Sequence, residues 1–269
     1  MHKDFNGDAF EVDNIRHVLA REGDLHALSE SYQNSTYPEM PDLSSAQLWD
    51  SLAEGKDIPE FRSRRLSAVA RRVPFGARVL DVGIGWGEII PMILSRGNSS
   101  YTGVDFSEKI VAEVSKKFPK CNLIVGGLEG VSGLFDVVMA LEVCEHILPR
   151  NIFSFFAQLK CVLAEDGRLI VTVPVYENLR AMTLRCPSCG HFHNRMGHVR
   201  AYSPELIKAE LRLAGFEVLE SFFIYANFKN SIAGDIKRWI VDIGRRLLGF
   251  GKTMPLNVVV VARKLIEKK

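Results

Sequence analysis

The sequence predicts an α/β fold: a mostly parallel sheet of seven strands with helices on both faces. Three observations carry that expectation. From about residue 61, short apolar runs alternate with helical patterns, as strands buried on both sides require. A glycine-rich turn follows the first run directly, and an acidic residue closes the second. Both are features of the ligand-binding edge of such sheets. With 269 residues, 47% apolar and 25% charged, the chain can bury a full core and still carry an appendage.

Taken in order, residues 1–60 are polar and helix-like, broken by the turn-rich stretch Tyr37-Pro38-Glu39-Met40-Pro41. They are expected to form a helical cap or lid, with Tyr37 and Trp49 as its closing aromatics, ahead of a main domain spanning 61–269. A basic amphipathic helix over 61–72 leads into Pro74-Phe75-Gly76. Strands are expected at 78–82, 100–104, 123–125, 135–141 and 167–173, with helical segments after Gly87, Ser107, Glu142 and Arg150. Behind Pro174 the rhythm breaks. Residues 175–202 show neither period and hold one Cys-x-x-Cys and three histidines, an insert after the fifth strand. A helix over 203–214, a strand over 216–225, a helical insert over 230–250 and a last strand over 256–263 complete the chain.

The net charge of +2 is too small to imply a nucleic-acid partner. No apolar run approaches the ~20 residues needed to span a bilayer. The opening residues lack the apolar centre of a signal peptide, so a cytoplasmic protein is expected. The five cysteines are not spaced as a disulfide framework. Cys121, Cys144 and Cys161 read as small buried hydrophobes.

The strongest local signal is Val79-Leu80-Asp81-Val82-Gly83-Ile84-Gly85-Trp86-Gly87-Glu88. A strand running into closely spaced glycines lets the chain turn tightly and a ligand approach the backbone. The second strand is followed by Asp105, where a nucleotide-binding α/β fold puts the acid that hydrogen-bonds ribose hydroxyls. The glycine spacing is Gly-x-Gly-x-Gly, with Glu88 where a dinucleotide fold has its third glycine, so the loop need not cradle a pyrophosphate.

The stretches VLDVGIGWGE, YTGVDFS, FDVVMALEVCEH and LAEDGRLIVTVP resemble the successive motifs of the class I S-adenosylmethionine-dependent methyltransferases, which have a Rossmann-like fold. The resemblance covers roughly residues 61–226. It implies that Gly83, Gly85 and Gly87 line the methionine part of S-adenosylmethionine with Asp81 nearby. It also implies that Asp105 holds the ribose with Phe106 beside the adenine, and that Gly127 and Leu128 meet the adenine edge. Ordinary packing is the competing reading for Phe106 and Leu128.

The fourth strand ends in Leu141-Glu142-Val143-Cys144-Glu145-His146. On a helix, Glu142, Glu145 and His146 would share one face. Methyl transfer to a hydroxyl needs the proton removed, and His146 suits that as a base. Alternatively, the two acids and the imidazole hold a divalent cation that lowers the hydroxyl's pKa. A solvated helix end is the bland alternative. The stretch is similar to that of the ubiquinone-biosynthesis O-methyltransferases and of small-RNA 2′-O-methyltransferases, where a later histidine joins; His198, before Ser203-Pro204-Glu205-Leu206, matches it. The RNA-end-binding regions of the latter are absent, so nucleic acid is not the expected substrate.

Cys186-Pro187-Ser188-Cys189-Gly190-His191-Phe192-His193 has the spacing of a zinc knuckle. Cys186, Cys189 and His193 are the first ligands expected for a structural zinc, and His191 and His198 compete for the fourth place. A reduced, unliganded pair or a redox disulfide are the alternatives. Within 236–247, Ile236, Ile240, Ile243 and Leu247 recur at helical spacing with Trp239 on their flank and Arg238, Asp242 and Arg245 opposite. Such a helix packs on its own domain, on a twin in a homodimer, or on a membrane surface.

The functional expectation is O-methylation of a hydroxyl on a small metabolite, a glycan or a lipid-linked intermediate. The alternatives are an N- or C-methyltransferase of the same fold and a non-catalytic, zinc-containing binding module.

Overall fold

The computed structural model describes residues 60–97, 100–185, 192–225, 232–247 and 256–265. The expected cap or lid therefore lies outside the described residues. Helix α1 (Glu60–Ala70) precedes β1 (Val79–Val82), α2 (Ile90–Leu94), β2 (Tyr101–Asp105), α3 (Glu108–Lys117), β3 (Asn122–Val125), β4 (Phe135–Leu141), α4 (Pro149–Val162) and β5 (Leu163–Pro174). A hairpin of β6 (Thr183–Arg185) and β7 (Phe192–Asn194) follows. Then come α5 (Pro204–Leu213), β8 (Phe216–Ile224), α6 (Ile232–Leu247) and β9 (Asn257–Lys264). The sheet order is β3-β2-β1-β4-β5-β9-β8. Only β9 runs against its neighbours β5 and β8.

The period of two along each strand divides the core. Leu80, Val138, Leu169, Val171 and Val260 face one side, against Phe156 and Leu159 of α4 and Leu206 and Leu211 of α5. Val79, Val137, Met139, Ile170 and Val259 face the other, against Leu66 of α1, Ile90 and Ile93 of α2 and Val114 of α3. Helix starts follow local chemistry. Ser107 and Ser203 accept the N–H groups of Ile110 and Leu206, which caps α3 and α5. Pro149 opens α4, where a missing N–H costs nothing.

Three details differ from the sequence expectation. Residues 175–202 contain the β6–β7 hairpin, whose Arg185–Phe192 pair brackets residues 186–191. The segment after Glu142 is a single 3₁₀ turn (Cys144–His146), not a helix. Of the three cysteines expected to be buried, Cys144 is, Cys121 is half-buried and Cys161 is exposed, because Cys161 sits on the outer face of α4.

Candidate functional site

A cavity of about 1200 Å³ opens along the C-terminal ends of β1, β2, β4 and β5. Its first half is made by the turn after β1. Gly83 has φ +77°, and a Cβ there would come within 2.8 Å of Val143, so only glycine fits both the backbone and the packing. Gly85, at φ +49°, is different: a Cβ would meet nothing nearer than 3.9 Å. It faces the cavity, where a ligand can come against the backbone. Asp105 accepts the N–H of Gly85 at 3.2 Å and that of Ser107 at 3.0 Å, one on each carboxylate oxygen. Those bonds fix the carboxylate on the cavity wall. Phe106 (42% exposed) lies beside it on the cavity wall, with Gly127, Leu128 and Glu129 opposite.

Two residues expected here do not line the cavity, although Asp81 is nearby as expected. Gly87 turns toward Val114 and Ile90 and does not line the cavity. Asp81 is buried beneath the loop and accepts the hydroxyl of Tyr101 at 2.6 Å. Burial pushes its carboxyl up to about 7, against the pull of the Tyr101 hydrogen bond. Leu128 serves both readings made of it, being a core side chain that also lines the cavity.

The second half of the cavity is built from side chains. Glu142 takes φ +58° at the end of β4, a strained turn for a non-glycine residue that separates its side chain from the 3₁₀ turn. It does not share a helix face with Glu145 and His146. Its carboxylate accepts Thr172 Oγ1 at 2.7 Å and Asn257 Nδ2 at 2.6 Å, and pairs with Arg65 Nη1 at 2.6 Å.

Glu145 is fully buried, and neither carboxylate oxygen has a hydrogen-bond partner on another described residue. Burial and the nearby Glu142 charge push its carboxyl well above the usual range. His146 Nδ1 lies 3.0 Å from Gly197 O, so it donates there and Nε2 carries the lone pair. Burial and His198 depress its pKa to about 4, so the imidazole is neutral at physiological pH. The rings of His146 and His198 meet edge to face, 4.9 Å between centroids. His198 Nδ1 is 2.8 Å from Glu177 Oε2.

One ligand atom each from Glu145, His146 and His198 falls within 4.8 Å of the others. Two imidazoles with a carboxylate that lacks a partner fit a divalent cation of the first transition series. The carboxylates of Glu142 and Glu177, each bonded to a neighbour, border that trio.

His198 reaches His146 from 52 residues away through a buried frame. Val199 N–H donates to Glu145 O at 2.9 Å. Arg200 pairs with Glu210, both buried, and Tyr202 donates to Glu210 at 3.1 Å. Arg62, Arg65, Glu129, Glu177 and Asn257 are cavity residues that the sequence motifs do not mark. The one available hint was the acid after Gly127-Leu128. Cys186, Cys189 and His191 of the zinc expectation, and the side chain of His193, lie outside the described residues.

Comparison with known proteins bears on this geometry. Residues 79–167 match the family model of a methyltransferase domain. The chain is 30% identical over 161 residues to the ubiquinone biosynthesis O-methyltransferase of Caulobacter sp. (strain K31), covering 52% of this chain and 62% of that protein. Together with the glycine loop and Asp105, this decides the family. The chain carries a class I S-adenosylmethionine-dependent methyltransferase domain. It spans 51–62% of the length of the first such relatives. The similarity also reaches the ribosomal protein L11 methyltransferase of Dictyoglomus turgidum, 36% identical over 114 residues, 39% of this chain and 35% of that one. Among solved structures, the 1,6-didemethyltoxoflavin-N1-methyltransferase of Burkholderia thailandensis superposes with a TM-score of 0.60. Identity is 18%, over 86% of this chain and 94% of that one. This methyltransferase domain thus has the family's seven-stranded sheet, and no described helix is long and apolar enough to cross a membrane.

Proposed function

We propose that the chain moves the methyl group of S-adenosylmethionine to a hydroxyl on a small metabolite, a glycan or a lipid-linked intermediate, with a divalent cation at Glu145, His146 and His198. The observation that carries the reading is Glu145: a buried carboxyl with no partner on another described residue, beside two imidazoles on the cavity wall. A buried acid in that condition costs several kcal/mol unless a cation or proton compensates it.

S-Adenosylmethionine would supply an electrophilic sulfonium methyl and leave as S-adenosylhomocysteine, and a cation held by Glu145, His146 and His198 would lower the pKa of the acceptor hydroxyl so that its proton passes to solvent. The residues of this chain do the rest. Gly83 and Gly85 admit the cofactor against the backbone, and Asp105 accepts from its ribose hydroxyls. Phe106 and Leu128 flank the adenine, and Glu129 stands at its edge. Arg65, Thr172 and Asn257 hold Glu142 in place, so the cavity wall facing the acceptor is fixed before it binds. His146, neutral and oriented by Gly197, presents Nε2 to a cation or, in its absence, to the acceptor's proton. In sequence, residues 186–191 join the paired strands β6 and β7, and a structural zinc at Cys186, Cys189 and His193 belongs to this reading. Because His198 stands beside His146, His191 is the fourth ligand in this reading.

The test titrates Mn²⁺ into chelator-treated protein and follows it by electron paramagnetic resonance. One site is expected that weakens at least about 10²-fold in Glu145→Ala and His198→Ala. S-Adenosylhomocysteine affinity should change little. Methyl transfer should stop on chelation and return with Mn²⁺. Mn²⁺ binding that is absent, or unchanged in both variants, would remove the cation centre.

A further inference from the structure

Arg62, Arg65 and Arg195 line the cavity, and their situations differ. Arg62 pairs with Glu88 and Arg65 with Glu142. No hydrogen bond or ion pair joins the Arg195 side chain to another described residue. A guanidinium keeps its proton, and its planar fork of donors matches a carboxylate or phosphate through two parallel hydrogen bonds. Among the described residues, Arg195 is therefore the cavity arginine open to an anionic ligand.

The backbone around Arg195 is held firmly. Its N–H donates to Met182 O at 2.8 Å. The chain then turns back at once. Gly197, at φ +73°, donates to Asn194 O at 2.9 Å, and the Asn194 side chain accepts Met196 N–H at 2.8 Å. The same turn supplies the Gly197 carbonyl that orients His146, and it leads directly into His198. The Cα atoms of Arg195 and His198 lie at most about 11 Å apart, since only three peptide units join them. One small molecule can thus reach both Arg195 and the two imidazoles.

The surroundings narrow the chemistry of that molecule. Tyr176, Met196 and Leu256 line the cavity and are exposed, and Met182, whose carbonyl holds Arg195, is half-buried. Tyr176 also takes φ +60°, strain of the kind held at ligand sites. Such a wall fits an apolar body of modest size, to which the methionines can adapt. The carboxylates of Glu142 and Glu177 border it, and Arg195 offers a single positive charge. Like charges in a partly enclosed site repel, which favours a carboxylate over a doubly charged phosphate.

We propose that Arg195 is an anion subsite of the cavity and that the methyl acceptor is a small hydroxy acid. Its carboxylate pairs with Arg195 while its hydroxyl reaches Glu145, His146 and His198. The carboxylate subsite stands by itself; the place of the hydroxyl rests on the methyl-transfer reading above.

The experiment follows the Arg195 Nε–H resonance of the full chain by nuclear magnetic resonance, with S-adenosylhomocysteine present and at constant ionic strength. The probes are benzoate, phenyl phosphate and benzyl alcohol. Benzoate should shift the resonance saturably, phenyl phosphate should bind more weakly, and benzyl alcohol should leave it in place. Arg195→Gln should weaken benzoate binding about tenfold or more, the loss of hydrogen bonds to a charged group. Arg195→Lys should recover only part of it, because it restores the charge without the fork. The S-adenosylhomocysteine affinity of both variants should match the parent. Benzoate binding in a parent that does not take up S-adenosylhomocysteine would remove the methyl-transfer reading and keep the subsite. Three results would each overturn the subsite: no saturable benzoate shift, equal benzoate binding by parent and Arg195→Gln, or benzyl alcohol binding as tightly as benzoate. Phenyl phosphate binding more tightly than benzoate would overturn the assignment to a carboxylate.

Discussion

The two halves of the cavity are made of different material. Beneath β1 and β2 the wall is largely backbone: the turn at Gly83 and Gly85, and an Asp105 carboxylate fastened by two N–H groups from its own neighbourhood. Beneath β4 and β5 it is side chains from distant parts of the chain. Arg65 comes from α1, Thr172 from β5, Asn257 from β9, and His198 from beyond the hairpin. A backbone cradle recognises a constant ligand and depends on a few local residues. A side-chain wall can be rebuilt around a different acceptor, but each member needs support from elsewhere. The chain's relatives extend from ubiquinone-biosynthesis O-methyltransferases to a ribosomal protein methyltransferase.

The comparison breaks most sharply at the frame under the second half. Glu210→Ala leaves the Arg200 guanidinium, 5% exposed, without its countercharge. A loss of about 3–5 kcal/mol in urea unfolding is expected. A paired Arg200→Met and Glu210→Leu replacement should recover most of it, because neither charge is then stranded. With His198 loosened, the single variant should lose Mn²⁺ affinity while S-adenosylhomocysteine affinity holds. Loss of both affinities in protein that is still folded would mean the halves are one unit.

The converse break is Asp105→Ala. It removes the acceptor proposed for ribose hydroxyls, and S-adenosylhomocysteine affinity should fall by about 1.5–3 kcal/mol in calorimetry, the range for hydrogen bonds to a charged group. Mn²⁺ binding should not move. Unchanged cofactor affinity in folded protein would sink the ribose assignment.

The same division explains what was legible in the sequence. All seven strands of the sheet could be read: the inner strands are continuous apolar runs buried on both sides, and the edge strands β3 and β8, only partly buried, follow from the alternation with helices. Asp105 could be read because a strand end fixes it locally. Glu142 was visible as an acid, but its partners were not: they arrive through sheet register and helix packing, for which the chain carries no nearby mark. The grouping of Glu142 with Glu145 and His146 failed for one backbone reason, the positive φ at Glu142, which ends the strand in a strained turn instead of starting a helix. The α6 stripe was read as amphipathic, but a period of 3.6 does not say which side faces inward. The exposure of Ile236, Trp239 and Ile240, with Arg238 over the Tyr225 ring, shows that.

The smallest effect concerns α1, which serves both halves: Arg62 pairs with Glu88 at 3.3 Å beside the glycine loop, and Arg65 holds Glu142. Just beyond it, Arg72 is fastened to Glu220 of β8 and lies 3.7 Å over the ring of Phe222. The Arg72 hydrogen bonds hold the Glu220 carboxyl below its ordinary range. A carboxylate with a depressed pKa contributes stability above its unfolded value and loses it as pH falls through the folded one. Glu220→Gln should therefore lower stability by at most about 1 kcal/mol at pH 7, since the pair is half in solvent. The difference from the parent should vanish once the carboxyl is protonated in both states, and it should shrink in high salt. Because Arg72 keeps its contact with Phe222 in the variant, α1 should stay in place, and both S-adenosylhomocysteine and Mn²⁺ affinities should be unchanged. Urea midpoints across the acid range, with and without salt, check the first part. If the two affinities instead fell together, the ion pair would be part of what holds α1 over the cavity, and the halves would be coupled through that helix.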